Sequence, residues 1–334
     1  MPDKSELLQS RFQLLDHPFD PRKDARAEPP YLFETASLRN ALEIHEFQEL
    51  RNYFVRVGPF ATQAEKADRF FAKWTGAQGP PTVVAYGPTH GGLDSIASYA
   101  AALIRDVAPR KAVRFGKLKV AGGGTLSFLE QLNVTIRSHV RATNLKDQAA
   151  DLFALADKKD VSEAVLTQMF TDLGDVLKNA PWLVLFIRPI EFKQRKLIHS
   201  KLELLTDMRV APIFMTSDAD VSNEFKGTNN PRTLHLHVDA LNSSQGLELL
   251  ERRLERFRQQ PTTVPNPYFP YAAQDIKTIF AEGNLPIGFV LDRYYSSLED
   301  KLNAEHAPGS EIDLTSISQS YDRELEEVAK ARRS

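Results

Sequence analysis

Five short apolar runs punctuate this chain, with helix-length segments between and after them: "TVVAY" (residues 82–86), "KAVRFGKLKV" (111–120), "WLVLFI" (182–187), "VAPIFMTS" (210–217) and "TLHLHV" (233–238). Strands separated by that much helical sequence cannot close as hairpins. They must pair in parallel through crossover helices. The expected fold class is therefore α/β, a parallel sheet flanked by helices on both faces. "WLVLFI" is the most apolar run, as befits a strand covered on both sides. "KAVRFGKLKV" carries more polar residues and is expected nearer an edge.

Helical periodicity fills the intervals. Leu93, Ile96, Ala100, Leu103, Ile104 and Val107 share a face, and "GGGTLSFLEQLNVTIRSHV" is a glycine turn leading into a helix. Further helical text covers roughly 144–178 and 191–207. Asn242 and Ser243 offer caps for "GLELLERRLERFRQ", which aligns Leu247, Leu250, Leu254 and Phe257 and sets Glu248 four residues before Arg252. Ahead of the sheet, a helix over Ser5 to Leu15 gives way to "DHPFDPRKDARAEPPYLF", whose prolines and charges predict an extended arm, lying along its own domain or across a neighbour. Helical text resumes at Ser37, and "TQAEKADRFFAKW" is expected to open on Thr62, with Glu65 at capping-box spacing.

"QPTTVPNPYFP" (260–270) is a proline-rich connector and the best boundary. The expected organisation is a helix and extended arm over 1–36, an α/β core over 37–259, a small helical unit over 260–306 and a C-terminal amphipathic helix over 307–334. That last helix puts Leu314, Ile317, Tyr321, Leu325 and Val328 on one face and needs a surface, on its own domain or on a partner.

Composition narrows the chemistry. The chain has 334 residues, 42% hydrophobic and 26% charged, enough for a full core. It has no cysteine, which excludes disulfides, thiolate metal sites and cysteine nucleophiles. A net charge of −2 gives no global pull toward nucleic acid, so such a partner would need local basic patches. The basic stretches are "PRKAVRFGKLK" (109–119), "RPIEFKQRKLIHSK" (188–201) and "ERRLERFR" (251–258), which are otherwise solvated faces and ion pairs. "MPDKSELLQSRF" has no apolar signal core and no segment is long and apolar enough to span a membrane, so a cytoplasmic protein with no membrane partner is expected.

One stretch has the shape of a nucleotide site. "VVAYGPTHGGLDSIASYAAALI" (83–104) runs from a strand through glycines into a helix, the setting in which backbone N–H groups hold a phosphate. Gly87 and Gly92 have the separation of G-x-x-x-x-G-K-[ST], but Leu93 stands at the lysine and Asp94 at the hydroxyl. The candidate residues of this degenerate phosphate loop are Gly87, His90, Gly91, Gly92 and Ser95. The glycines would admit close backbone approach. His90 could partly replace the lysine, and Ser95 could supply the hydroxyl if the loop were one residue longer. The plain alternative is a glycine turn of the kind common in α/β proteins.

A hydrolytic phosphate-loop enzyme also carries an acid at the end of a second apolar strand, to hold Mg²⁺. Here "WLVLFIRPIEF" runs into Arg188 and Pro189, and Glu191 is the first carboxylate, readable as a plain surface glutamate. The triple glycine at 122–124 lacks dinucleotide-fingerprint spacing and reads as a turn. His235 and His237 alternate onto one strand face and could share a metal, but no third ligand is visible, and Leu234, Leu236 and Val238 form the opposite, buried face. No catalytic residue and no metal ligand is assigned.

The order of these parts resembles an AAA+ ATPase, in the branch that includes origin-recognition proteins, STAND ATPases and transposition regulators. The matching pieces are "GPTHGGLDS", "WLVLFI", "APIFMTS", "LHVDALNSSQGLELLERRLERF" and "FPYAAQDIKTIFAEGNLPIGFVLDRYYSSLEDKL", together about residues 60 to 305. The resemblance implies that the last piece is a helical lid, that Thr216 or Ser217 is the polar sensor, and that Arg232 lies near a trans-acting arginine finger. It also places the acidic pair of the second motif on Ile187 and Arg188, and puts no arginine after "GNLPIGFVL" where a sensor arginine often stands.

Three charged functions are thus missing at three places while the frame is kept. The expectation is a pseudo-ATPase: an assembly, scaffold or regulatory subunit working by self-association or with another protein subunit. No cofactor is expected, with weak ATP binding left open. The alternatives are a DNA-associated, nucleotide-dependent ATPase of transposition or defence type, and an unrelated α/β interaction module.

Overall fold

A computed structural model of the chain describes residues 4–15, 55–75, 79–88, 91–109, 113–119, 124–141, 143–157, 161–188, 202–217, 231–258, 266–281, 287–303, 311–313 and 315–319. The five expected strands form one parallel sheet: β1 (Thr82–Tyr86), β2 (Val113–Lys119), β3 (Trp182–Arg188), β4 (Val210–Thr216) and β5 (Thr233–His237). Their spatial order is β2-β3-β4-β1-β5, which puts the mixed-polarity β2 on an edge, as its composition implies. The sheet is parallel throughout, with Val83 opposite both Ile213 and Leu234, and Val113 opposite Trp182.

Alternation along the strands divides the interior into two cores. One takes Val83 and Ala85 of β1, Trp182, Val184 and Phe186 of β3, and Ala211, Ile213 and Met215 of β4. It is covered by α2 (Gly58–Ala72), α3 (Leu93–Val107) and α8 (Ser243–Phe257), and it continues without a break into α1 (Lys4–Phe12), α9 (Ala273–Ala281) and α10 (Ile287–Asn303). The other takes Val84, Leu183, Leu185, Ile187, Val210 and Phe214, covered by α4 (Thr125–Arg141), α6 (Glu163–Val176) and α7 (Leu202–Asp207), with α5 (Ala150–Ala156) alongside. β3 and β4 are buried on both faces, which explains their unbroken apolar text. Each buried Leu, Ile, Val or Phe contributes about 1.5–3 kcal/mol relative to exposure.

Helix boundaries follow local chemistry, with one correction. α2 does not open on Thr62: it starts at Gly58, with Val57 as N-cap and a proline in its first turn, leaving Thr62 inside the helix. Pro59, whose fixed φ suits the first turn, outranks the capping-box spacing. α8 opens as expected on Asn242, whose side chain accepts from Gln245 N–H while the Gln245 amide oxygen accepts from Asn242 N–H. The Glu248–Arg252 pair forms at 2.6 Å. On its buried face Leu249 joins Leu250 and Leu254, while Leu247 and Phe257 are only partly buried. The expected 144–178 helix is two helices, α5 and α6, closed by a 3₁₀ turn over Leu177–Asn179.

Described segments near both termini pack on their own molecule. Leu8, Phe12 and Leu14 are buried, and Leu15 N–H donates to Phe257 O. Arg252 of α8 also donates to Arg56 O at 3.3 Å, so residues 15 and 56 bond to one helix at positions five residues apart. Ile312 and Ile317 are buried in the same core. The expected arm over 16–36, the helix over 37–54, the 191–201 part of the helix after β3, and Leu314, Tyr321, Leu325 and Val328 lie outside the described residues.

Candidate functional site

In an open parallel sheet, a ligand crevice forms at the C-terminal ends of strands where successive connections leave toward opposite faces. Here α3, which follows β1, covers one face, whereas α4 and α7, which follow β2 and β3, cover the other. The connections therefore diverge between β1 and β3, across the end of β4. This is where the glycine loop, the end of "WLVLFI" and the end of "APIFMTS" come together.

The loop glycines are each held by a contact. Gly87 N–H donates to Thr216 O at 3.3 Å, and a Cβ on Gly87 would lie 2.2 Å from Val238 O. That glycine is needed because the chain leaving β1 passes against the chain leaving β5. Gly91 N–H donates to Pro88 O at 2.8 Å. Gly92 is the N-cap of α3 at φ 84°, in the left-handed region that glycine adopts without strain. A strand–loop–helix turn is thus present over 82–107. His90 lies outside the described residues. Ser95 sits half-buried in the first turn of α3.

The two residues that break the motif meet. Asp94, in the first turn of α3, forms an ion pair with Arg188, the last residue of β3, and their side chains are only 26% and 22% exposed. Arg188 Nε also points at Met215 Sδ, 3.1 Å away on neighbouring β4. Alternation explains the meeting: Arg188 follows Trp182, Val184 and Phe186 onto the sheet face that α3 covers. The carboxylate sits at the positive end of the α3 dipole, a favourable position for a negative charge. A guanidinium cannot ligate a cation, and this carboxylate is already matched by one. Each misfit was legible in the sequence by itself; the signal that could have joined them is their opposite charge.

Thr216 is buried at the end of β4 and Ser217 is exposed beside it. Arg232 is exposed, and its carbonyl accepts from Thr82 N–H at 2.9 Å. Glu191 lies outside the described residues. Gly124 precedes α4 with open space where a Cβ would stand, so a plain turn suffices there.

At the β5 edge, His237 stacks on Tyr86 with ring centroids 4.0 Å apart, and its Nε2 lies 3.1 Å from an Asp239 carboxylate oxygen. Its backbone N–H donates to Gln63 Oε1 of α2. This stacking went unread in the sequence, since Tyr86 and His237 become neighbours only through strand register. Among the described residues no group of three His, Asp or Glu side chains could hold a metal. No described helix is long and apolar enough to cross a membrane.

Of the four arginines in the basic stretch at 251–258, only Arg252 and Arg256 are exposed. Arg252 pairs with Glu248, while Arg253 and Arg258 are buried. Arg258 donates to the carbonyls of Pro267 and Phe269 at 2.8 and 3.0 Å. Of the stretch at 188–201, only Arg188 is described.

No family model matches the chain, and no curated protein matches it. Among solved structures the chain is similar to the ORC1 protein of Aeropyrum pernix, solved in complex with DNA, at 13% identity, with 82% of this chain and 68% of that chain covered and a TM-score of 0.46. A likeness of that size carries no argument about function.

Proposed function

We propose that this protein is a pseudo-ATPase of AAA+-like architecture, working as an assembly, scaffold or regulatory subunit without hydrolysing ATP. The observation that carries this reading is the Asp94–Arg188 ion pair. In a working phosphate loop, lysine neutralises the β/γ oxygens, a hydroxyl and an acid hold Mg²⁺, and the glycine backbone cradles the phosphates. Here Leu93 supplies no charge, Asp94 would repel phosphate, and Arg188 would repel the metal. These residues do not fit a magnesium-bound triphosphate.

What remains supports a frame without an engine: the strand–loop–helix turn, the buried Thr216 and the helices α9 and α10 where a lid would stand. In this reading the α/β core spans 37–259 and the lid 260–306, and activity lies in binding another subunit or a second copy of the chain. The test is equilibrium binding of ATP with Mg²⁺ to the purified chain, with its solution mass measured in parallel. Absence of binding up to millimolar ATP, together with a stable complex, is expected. Micromolar binding with a mass that changes on adding ATP would overturn the reading.

A further inference from the structure

The chain passes from the α/β core to α9 and α10 between Arg258, at the end of α8, and Tyr271. Two segments, residues 14–15 and 311–313, flank this passage as extended backbone. On one side Leu14 forms an antiparallel bridge with Arg258, and Leu15 N–H donates to Phe257 O at 2.6 Å. On the other, Ile312 forms a parallel bridge with Tyr271. Ile312 N–H donates to Pro270 O at 2.7 Å, and Ile312 O accepts from Ala272 N–H at 3.1 Å.

Side chains anchor both strips. Leu8, Phe12 and Leu14 are buried, the Phe12 ring lies 6.5 Å from that of Phe269, and Ile312 is fully buried. Asn266 Nδ2 donates to Glu311 Oε1 at 2.7 Å. Tyr271, also fully buried, donates to Tyr294 O of α10 at 2.8 Å. Short backbone bridges alone are marginal in water, and it is this burial that makes them lasting.

We infer that these two segments are splints. The first holds α9 and α10 against the sheet and the second closes them into one unit, which makes that part of the molecule a fixed platform, not an arm that swings with ligand state. The N-terminal strip is bonded to the end of α8 while its Phe12 ring packs on Phe269, and Arg258 donates to the carbonyls of Pro267 and Phe269, so a rotation between α8 and α9 must break these contacts. This inference stands apart from the nucleotide reading: a chain that bound ATP without moving would sink that reading and leave the splints intact.

The absence of native cysteine makes the test clean. Lys73→Cys at the C-cap of α2 and Lys277→Cys on α9, both exposed, accept spin labels on the full chain. Pulsed electron spin resonance is expected to give one narrow distance distribution, unchanged by millimolar Mg-ATP, that broadens in the added double variant Leu8→Ala/Phe12→Ala. A broad distribution in the otherwise unmodified chain, a shift with Mg-ATP, or an unchanged narrow peak in the double variant would overturn the inference. If circular dichroism shows the double variant unfolded, hydrogen exchange in the unmodified chain decides. The amides of Leu15 and Ile312 should exchange within about tenfold of those in β1. Exchange at unprotected rates would mean the splints are open.

Discussion

Asp94 and Arg188 form an ion pair that ties the first turn of α3 to the end of β3 across the C-terminal edge of the sheet. Both side chains are about three-quarters buried, so the pair is screened far less than a surface bridge. A double-mutant cycle with Asp94→Asn and Arg188→Met should give a coupling of about 1–2 kcal/mol, read from urea unfolding. Each single change should cost more than the double, because it strands the other charge. Additive effects would remove the pair as a structural element.

Gly87 and Gly124 should respond in opposite ways. Gly87→Ala drives a Cβ to 2.2 Å from a backbone carbonyl, which cannot yield like a side chain. Destabilisation of about 1–3 kcal/mol is expected, with or without nucleotide. Gly124 has open space and directly precedes α4, so Gly124→Ser should gain up to about 1 kcal/mol from a new N-cap and a less flexible unfolded chain. Thermal melts of the two variants check both signs. A harmless Gly87→Ala would mean that the crossing with Val238 is loose.

His139 makes stability depend on pH. Burial in the last turn of α4, and secondarily the nearby Arg114, lower its pKa from 6.5 to about 4, partly opposed by a hydrogen bond to the Pro181 backbone. Between those values the unfolded chain takes up a proton that the folded chain refuses. The contribution is therefore fully present above pH 6.5 and lost as pH falls toward 4, amounting to roughly 3 kcal/mol. His139→Leu should flatten this slope. Urea midpoints at pH 7 and pH 5 measure it, and an equal slope in the variant would assign the effect elsewhere.

Arg258 closes the end of α8 by bonding two carbonyls from within the core. Arg258→Met should cost about 2–4 kcal/mol, since both carbonyls lose a charged donor. Arg258→Lys should recover less than half of that, because both bonds come from one terminal nitrogen, Nη2, which the shorter lysine stem does not reach. Full rescue by lysine would show that charge alone, not geometry, is at work. Calorimetry of the three proteins separates the cases.

The sequence by itself determined the fold class and most strand positions, because both rest on local periodicity. A run such as "TVVAY" followed by a helix-length segment leaves a parallel sheet as the economical solution, and β1 occupies those residues. It also determined the cap at Asn242 and the Glu248–Arg252 pair, since caps and i,i+4 pairs are decided within one turn of chain. Thr62 shows where local spacing misleads: a proline three residues earlier started the helix sooner.

Only the tertiary structure decided what the odd residues do. Leu93, Asp94 and Arg188 read as separate losses. Register and the α3 crossover turned two of them into one ion pair. The arginines of "ERRLERFR" read as solvated residues or as a local basic patch, and burial made two of them internal. Ile317 read as part of an amphipathic helix in need of a surface, on its own domain or a partner, and the core of its own chain took it in, along with Leu8 and Phe12 of the N-terminal helix. In each case the partner lies far along the chain. Local sequence encodes which way a side chain faces on its own element, but not which distant element the topology brings against that face.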